Sequence, residues 1–361
     1  MKSLSHRSIE IILQNQNPSG AYPACTNFPT YRYSWFRDGS FTAFAMDLVG
    51  EKQSAARFHH WVARTVNNYA EVVERAVHKI SYGEKLGPAD ILHTRYEVDG
   101  SYGADEWPNF QLDGFGTWLW ALGEHRRLST DELSEDVLSA ARLIADYLSA
   151  LWRRPCFDCW EEFPNDLHTY TLGAIYAGLK ASASLVDTCY EGEEEKVRSF
   201  IQENCVRNGC FMKYVGWEVV DASLLGLAIP FGVVTPNDTI MVATVEQIEA
   251  TLRMGGGVHR YAEDTFYGGG EWVLLTAWLG WYYTKTGDFD KASALMNWVE
   301  SQADENGWLP EQIPASLNDA TFYEPWRERW GDIASPLLWS HANYLILHNN
   351  LLNNQVVVNC P

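Results

Sequence analysis

The sequence consists mainly of segments with helical periodicity, and the number of these segments limits the folds that the chain can adopt. In SEDVLSAARLIADYLSALW, for example, apolar residues recur at i, i+3, i+4 and i+7, as on one face of a helix. The main strand signal, HTRYEVDGSY near 93–102, indicates a hairpin inside a long loop. We therefore predict an all-α protein with twelve helices, at 5–15, 38–50, 51–79, 110–126, 131–153, 166–187, 191–205, 220–229, 236–253, 271–286, 288–304 and 335–351.

The connections between these helices alternate between short and long, which indicates how the helices are arranged. Short links near positions 50, 128–130, 188–190, 230–235 and 287 pair neighbouring helices, and we interpret the twelve helices as six hairpins. If each hairpin has one inner and one outer helix, all the long connections emerge on one face of a closed ring. We predict an (α/α)6 barrel, formed by residues 1–361 as a single domain, whose active site lies on the face with the long loops at 16–37, 80–109, 154–165, 206–219, 255–270 and 305–334.

Two other architectures are compatible with the length of the chain and with its helices. A chain of 361 residues commonly divides into two domains. Helix pairs can also stack into an open solenoid, but a solenoid repeats its sequence at a fixed period, and no such repeat is found here. The closed barrel is therefore the preferred prediction.

Composition restricts the partners and the location of the protein. Its formal net charge of −20 argues against nucleic acid and anionic membranes, because both require a basic face, and favours a neutral substrate. No apolar run reaches the roughly 18 residues of a membrane span, and the start, MKSLSHRSIEIILQNQNPSG, lacks the order of a secretory signal. Seven cysteines, an odd number, fit reduced thiols. We expect a cytoplasmic chain, and the sequence leaves its oligomeric state open, a homo-oligomer included.

The residue types that commonly bind metals do not form a recognisable set. Cys156 and Cys159 have the CxxC spacing of a zinc or redox half-site, but no second CxxC or nearby pair of histidines completes four ligands. His59 and His60 are predicted to lie in the middle of a helix and to be partly exposed. We predict no metal and no other cofactor.

Two glutamates in aromatic loops are the candidate catalytic residues. Glu161, in RRPCFDCWEEFPNDLHT, follows Trp160 in the third long loop, and Glu311 lies in NGWLPEQIP of the sixth. Aromatic neighbours desolvate a carboxylate and raise its pKa, as glycoside hydrolysis requires of the carboxyl group that donates a proton. The second carboxyl group must stay ionised, and Gln312 beside Glu311 is placed to orient a water molecule. Which of Glu161 and Glu162 is kept neutral stays open on these grounds.

The order and spacing of several motifs resemble glycoside hydrolase family 15, which contains the glucoamylases and bacterial relatives such as glucodextranase and isomaltose glucohydrolase. The similarity extends from YRYSWFRDGS to PLLWSHANY, which is nearly the whole chain. The resemblance implies that Glu161 is the general acid and Glu311 the general base, with inversion at the anomeric carbon. The residues predicted to bind substrate are Trp35, Arg37, Asp38, Asp113, Asp158, Trp160, Glu162, Arg260, Trp272 and Gln312.

Within this set the resemblance implies distinct positions along the substrate. Arg37 and Asp38 match the pair that binds the glucose at the nonreducing end, and Trp35 belongs to the wall of the same subsite. Arg260 matches an arginine near the second sugar, with Trp272 behind it. The resemblance further gives Glu162 a role in binding substrate hydroxyl groups, and Asp158 one in shaping the site.

The chain departs from many bacterial members of that family in two respects. Its first barrel helix is predicted to begin almost at Met1, without a large N-terminal β-sandwich domain, and no starch-binding module follows the barrel. Both differences favour small substrates. The predicted function is therefore an inverting, exo-acting α-glucosidase that releases β-D-glucose from isomaltose or short isomalto- or malto-oligosaccharides. The alternatives are an enzyme acting on longer glucans, a trehalase or disaccharide phosphorylase on a similar barrel, and a noncatalytic sugar-binding barrel.

Overall fold

The computed structural model describes residues 2–129, 132–186 and 192–358, and most of these residues are helical. The predicted short link at 188–190 lies outside the described residues, as does part of the link at 128–130. Six two-residue strands accompany the helices: β1 Ser34–Trp35, β2 Arg95–Tyr96, β3 Val206–Arg207, β4 Cys210–Phe211, β5 Glu271–Trp272 and β6 Gln312–Ile313. The α-helices are α1 Leu4–Asn15, α2 Phe36–Leu48, α3 Lys52–Asn68, α4 Ala70–Ser81, α5 Asp113–Leu128, α6 Glu135–Leu151, α7 Thr169–Leu185, α8 Glu193–Asn204, α9 Thr239–Leu252, α10 Val273–Thr286, α11 Phe289–Ser301, α12 Tyr323–Trp330 and α13 Leu338–Val358.

The helices form a closed double ring, which confirms the predicted (α/α)6 barrel. The inner ring runs through α2, α5, α7, the 3-10 segment Ala222–Leu227, α10 and α13, and it closes because α13 packs against α2. Helices α1, α3, α6, α8, α9 and α11 lie outside this ring. Five of the pairs are consecutive in the chain, whereas the sixth consists of its last helix, α13, and its first, α1.

Burial differs between the inner and outer helices, and the sequences differ accordingly. Every residue of α10 from Val273 to Thr284 is buried, since the helix is enclosed both by the outer helices and by the centre of the barrel. Outer helices such as α3 bury one face only.

Helices α5 and α7 come so close that a Cβ atom at Gly116 would collide with the backbone of Ala174. Glycine is therefore needed there for close packing of the inner ring.

Several sequence predictions differ from the structure. The helix predicted at 51–79 is two helices, α3 and α4, which meet at Tyr69, where the ring stacks on Tyr102 with centroids 4.0 Å apart. The helix predicted at 220–229 is only the 3-10 segment, and Pro230, which has no backbone N–H to donate, lies just beyond it. The predicted exposure of His59 is wrong: its side chain is 2% exposed, whereas the neighbouring His60 is exposed.

Short antiparallel pairs connect the long loops on one face of the barrel. Strand β1 pairs with β2, which joins the first long loop to the second, and β5 pairs with β6, which joins the fifth to the sixth. The predicted hairpin near 93–102 is present as a bridge between Tyr96 and Tyr102, although β2 pairs mainly with β1. Because β1 leads into α2 and β5 into α10, these pairs hold the N-terminal ends of inner helices in register.

Among the helices of the described residues, none is long and apolar enough to cross a membrane.

Candidate active site

The long loops surround a cavity of about 360 Å³ at the N-terminal ends of the inner helices. A volume of this size lies in the range of small-molecule binding sites. The cavity is where the fold brings together residues that are far apart in the chain. Nine of the twelve residues predicted from the sequence line it: Trp35, Arg37, Asp38, Trp160, Glu161, Glu162, Arg260, Trp272 and Glu311.

The other three predicted residues, Asp113, Asp158 and Gln312, lie behind the cavity wall. The Asp113 carboxylate accepts a hydrogen bond from Arg37 over 3.2 Å and is fully buried. Both ends of the Gln312 amide are hydrogen-bonded to the fifth long loop. Its oxygen accepts from the Gly270 N–H, and its nitrogen donates to the Phe266 carbonyl. None of the three lines the cavity, and these contacts position residues that do; that the three bind substrate stays a prediction.

A tight turn at 158–162 presents Glu161 to the cavity. The Asp158 carboxylate accepts hydrogen bonds from the backbone N–H groups of Trp160 and Glu162, over 2.9 and 2.8 Å. Glu161 itself has φ of 68°, in the left-handed region that costs a residue other than glycine about 1 kcal/mol or more. The hydrogen bonds to Asp158 offset this cost, so the turn holds Glu161 in one orientation.

A buried lysine that sequence reasoning missed supports this turn from the fourth long loop. The Lys213 ammonium lies 2.9 Å from Asp158 and 2.6 Å from Asp221, and its side chain is almost fully buried. Asp221 in turn accepts a hydrogen bond from the Trp160 indole over 2.9 Å. Burial alone would lower the pKa of Lys213, but the two carboxylates outweigh burial and raise it, so the lysine stays charged.

At the first turn of α2, Arg37 and Asp38 form a buried ion pair. The Arg37 Nε atom lies 3.3 Å from an Asp38 oxygen, and the guanidinium stands over the Trp339 ring, 5.3 Å from its centroid. Burial raises the pKa of Asp38 to about 6, although Arg37 opposes that rise. Arg37 is also bound to Asp113 at the start of α5, so two inner helices fix its position.

Arg260 is fixed between a carboxylate and two aromatic rings. Its guanidinium forms a two-point ion pair with the buried Asp264, and one nitrogen lies 3.5 Å from a Glu162 oxygen. The guanidinium carbon is 5.2 Å from the Trp160 ring centroid and 5.1 Å from that of Trp272. A charged group stacked in this way lines the cavity with little freedom to move.

Several further lining residues were not predicted from the sequence. Tyr31, Trp107 and Trp339 line the cavity, and two of them, Tyr31 and Trp339, lie in the motifs YRYSWFRDGS and PLLWSHANY quoted above. Trp326 also lines it, from helix α12, within a segment that was predicted as loop only. The excess of aromatic residues around charged motifs was the signal that could have identified the first three.

Comparison with known proteins identifies the family of the protein that contains this cavity. The family model described as Glycosyl hydrolases family 15 matches residues 2–349. The chain belongs to this family. It is therefore a glycoside hydrolase, as the motifs predicted.

Individual members and structures agree with this assignment to family 15. The isomaltose glucohydrolase of Kribbella flavida is 39% identical over 363 residues, covering 97% of this chain and 93% of that protein. A solved structure of a wild-type glycosidase is 39% identical and has a TM-score of 0.92, with 96% of each chain covered. A bacterial glucoamylase complexed with acarbose is 19% identical and shares the fold, with a TM-score of 0.73 over 97% of this chain and 56% of that one.

Burial raises the pKa of both candidate catalytic glutamates in this family 15 protein. The pKa of Glu161 rises to about 7, although Arg37 and the indole of Trp35, which donates a 2.5 Å hydrogen bond, lower it. The pKa of Glu311 rises to about 8, because burial outweighs the lowering by the Tyr31 hydroxyl and by Arg260. Both carboxyl groups are therefore expected to titrate near neutral pH.

The Glu311→Gln substitution is expected to stabilise the protein more at pH 8 than at pH 5. The native carboxyl, with a pKa of about 8, binds a proton that the unfolded chain releases near its ordinary pKa of 4.5. The free energy of unfolding therefore falls as pH rises through this window. At about 1.4 kcal/mol per pKa unit, the loss is at most about 5 kcal/mol, and the neutral amide avoids it.

Urea unfolding at both pH values measures this difference. Glu218→Gln is a matched control, because Glu218 is exposed and lies outside the cavity lining. A gain of at least about 1 kcal/mol from pH 5 to pH 8, absent from the control, is the expected result. Equal pH dependence of the two variants would contradict the burial effect.

Proposed function

We propose that this family 15 protein is an inverting, exo-acting α-glucosidase that releases β-D-glucose from small α-glucosides such as isomaltose. The observation that carries the proposal is the pair Glu161 and Glu311, two carboxyl groups with raised pKa values that line one aromatic cavity, the first partly exposed and the second buried. The isomaltose glucohydrolase that shares 39% of its sequence with this chain supports the choice of substrate.

In this proposal Glu161 is the general acid and Glu311 the general base. Glu161 gives its proton to the glycosidic oxygen as the bond to the anomeric carbon breaks. Glu311 takes a proton from a water molecule, whose oxygen forms the new bond to that carbon from the opposite face. The configuration of the anomeric carbon is thereby inverted, and the α-glucoside yields β-glucose.

Burial raises the pKa of Glu161 to about 7 and that of Glu311 to about 8, so both carboxyl groups titrate near neutral pH. Without substrate these values favour the proton on Glu311 over Glu161, which is the reverse of the proposed roles. Hydrolysis requires that proton on the acid, and Arg260 and the Tyr31 hydroxyl both favour an ionised Glu311. The pKa values alone do not separate acid from base; the family resemblance supports these roles.

The charged and aromatic lining supports a short substrate. The ion pair of Arg37 and Asp38 offers a donor and an acceptor to the hydroxyl groups of one sugar ring, and Arg260 offers a second donor near Trp272. A volume of about 360 Å³ is close to the lower end of the usual range for ligand pockets. These features favour one or two enclosed sugar rings over a long polymer.

An NMR time course with trehalose, maltose, isomaltose and isomaltotriose tests the proposal. We expect isomaltose to be hydrolysed, with β-glucose appearing before mutarotation produces the α-anomer. Early α-glucose would contradict inversion, and preferred hydrolysis of trehalose or maltose would contradict the proposed linkage. Binding of isomaltose without release of glucose would leave the noncatalytic alternative.

A cytoplasmic location is also part of the proposal. The five cysteines within the described residues, Cys25, Cys156, Cys159, Cys205 and Cys210, are free thiols. Burial raises the pKa of both thiols of the CxxC motif, Cys156 and Cys159, which keeps them protonated and unreactive. Thiols that remain unpaired at this spacing favour a reducing compartment.

A further inference from the structure

Three potential metal ligands meet at the end of the barrel opposite the active site. Asp47 lies in the last turn of α2, His125 in the last turn of α5, and His59 in the middle of the outer helix α3. Asp47 is nine residues beyond Asp38 on α2, which corresponds to about 14 Å along the helix axis. The cluster is therefore separate from the cavity, and none of its three residues lines that cavity.

All three side chains are buried, and one of them has no partner. Asp47, His59 and His125 are 4%, 2% and 5% exposed. The His125 Nδ1 atom lies 2.9 Å from both oxygens of Asp47. Neither ring nitrogen of His59 has a hydrogen-bond partner within the described part of the chain. Buried polar groups nearly always have a partner, so His59 requires an explanation.

The arrangement of the donor atoms around His59 supplies an explanation for its unpartnered nitrogens. One nitrogen from each imidazole and one oxygen of Asp47 all lie within 4.8 Å of one another, and the two imidazole rings are 4.9 Å apart between centroids. Tetrahedral zinc with bonds of about 2.0–2.1 Å needs donor atoms roughly 3.4 Å apart. Binding a zinc ion therefore requires side-chain rotations that bring the three donors closer together.

We propose that Asp47, His59 and His125 form a structural site for a divalent transition metal, with zinc as the best match. Two imidazoles and one carboxylate suit zinc, whereas calcium and magnesium prefer oxygen ligands only. A water molecule is the expected fourth ligand. The carboxylate supplies one negative charge against the two positive charges of the ion, and the unpartnered nitrogen of His59 becomes a ligand.

The position of the site indicates what the metal does. It joins the ends of two adjacent inner helices, α2 and α5, to the outer helix α3. The opposite ends of α2 and α5 carry Arg37 and Asp113, which are bound to each other. A metal here stabilises the barrel wall that supports the cavity and takes no part in the reaction at its other end.

Zinc binding to the full-length protein is the direct test. Protein stripped with a chelator is titrated with zinc chloride by calorimetry, and the metal retained after gel filtration is measured by mass spectrometry. We expect about one zinc per chain for the wild type and for His60→Ala, the matched control from the next position on α3, which is exposed. His59→Ala is expected to bind at least about 10-fold more weakly.

Further measurements keep the test decisive if His59→Ala does not fold. Asp47→Asn preserves the size of the side chain and should also weaken zinc binding at least about 10-fold. Cobalt bound to the wild type should give the visible absorption of a tetrahedral site. A zinc concentration of 100 times the dissociation constant should raise Tm by about 4 °C in the wild type and His60→Ala only.

Two results would overturn the proposal. The first is wild-type protein that retains less than about a tenth of a zinc ion per chain and shows no change in Tm. The second is zinc binding that is unchanged in both His59→Ala and Asp47→Asn, which would place the ion elsewhere. Hydrolytic activity serves as a separate check of folding, because the three residues lie outside the cavity lining.

Discussion

Replacing Glu161 with glutamine is expected to lower kcat/KM for isomaltose by about 10²–10⁴-fold. Glutamine has nearly the same size and can still accept the hydrogen bond from the Trp35 indole. It has no acidic proton to give to the leaving oxygen, however. Initial rates of glucose release measure the loss, and circular dichroism checks that the variant is folded. Activity within about threefold of the wild type would rule out Glu161 as the proton donor.

The same variant can separate the acid from the base, which the pKa values do not. Fluoride leaves without being protonated, so α-glucosyl fluoride does not need a general acid. We expect Glu161→Gln to lose much less activity on this substrate than on isomaltose. Glu311→Gln should lose activity on both, because water must still be activated. The reverse pattern would exchange the two roles.

Replacing Lys213 with methionine is expected to lower the free energy of unfolding by about 3–5 kcal/mol. Methionine fills a similar volume, but Asp158 and Asp221 would then be two buried carboxylates without a cation. Asp158 also holds the turn that presents Glu161, so activity should fall together with stability. Urea unfolding and initial rates measure the two effects.

Lys291→Met is the matched control for this prediction. Lys291 also lies near two carboxylates, at 3.3 Å from Glu249 and 3.9 Å from Asp288, but it is 48% exposed. Exposed ion pairs contribute about 0–1 kcal/mol, because water solvates the separated charges. A loss for Lys213→Met no larger than that for Lys291→Met would show that burial does not strengthen the Lys213 network.

The alternation of short and long links was enough to predict the barrel, because a hairpin of two helices leaves its connections on defined faces. The break at Tyr69 was not predictable, since it depends on stacking with Tyr102 and on the packing of α4 against α6. Helix α12 was missed because it lies in a loop over the cavity, where its rings pack on residues of the fifth loop such as Phe266.

The candidate site was predicted in part. Glu161 and Glu311 stand in motifs whose aromatic neighbours indicate desolvation, and both do line the cavity. Asp158 is also an acidic residue in one of these motifs, but its carboxylate is hydrogen-bonded to the backbone and paired with Lys213, and it does not line the cavity. Lys213 itself has no sequence signal, because its partner Asp158 belongs to the preceding long loop and meets the lysine only in the folded protein.

The sequence by itself determined most of the helices, their pairing into a ring, and the motifs that carry the acids and arginines. Helical periodicity and link length are local properties, so they can be read along the chain. The tertiary structure alone decided which charges face the cavity, which are anchors, and that Asp47, His59 and His125 meet at the other end. Burial and contact between distant residues set these roles, and both arise only when the ring closes.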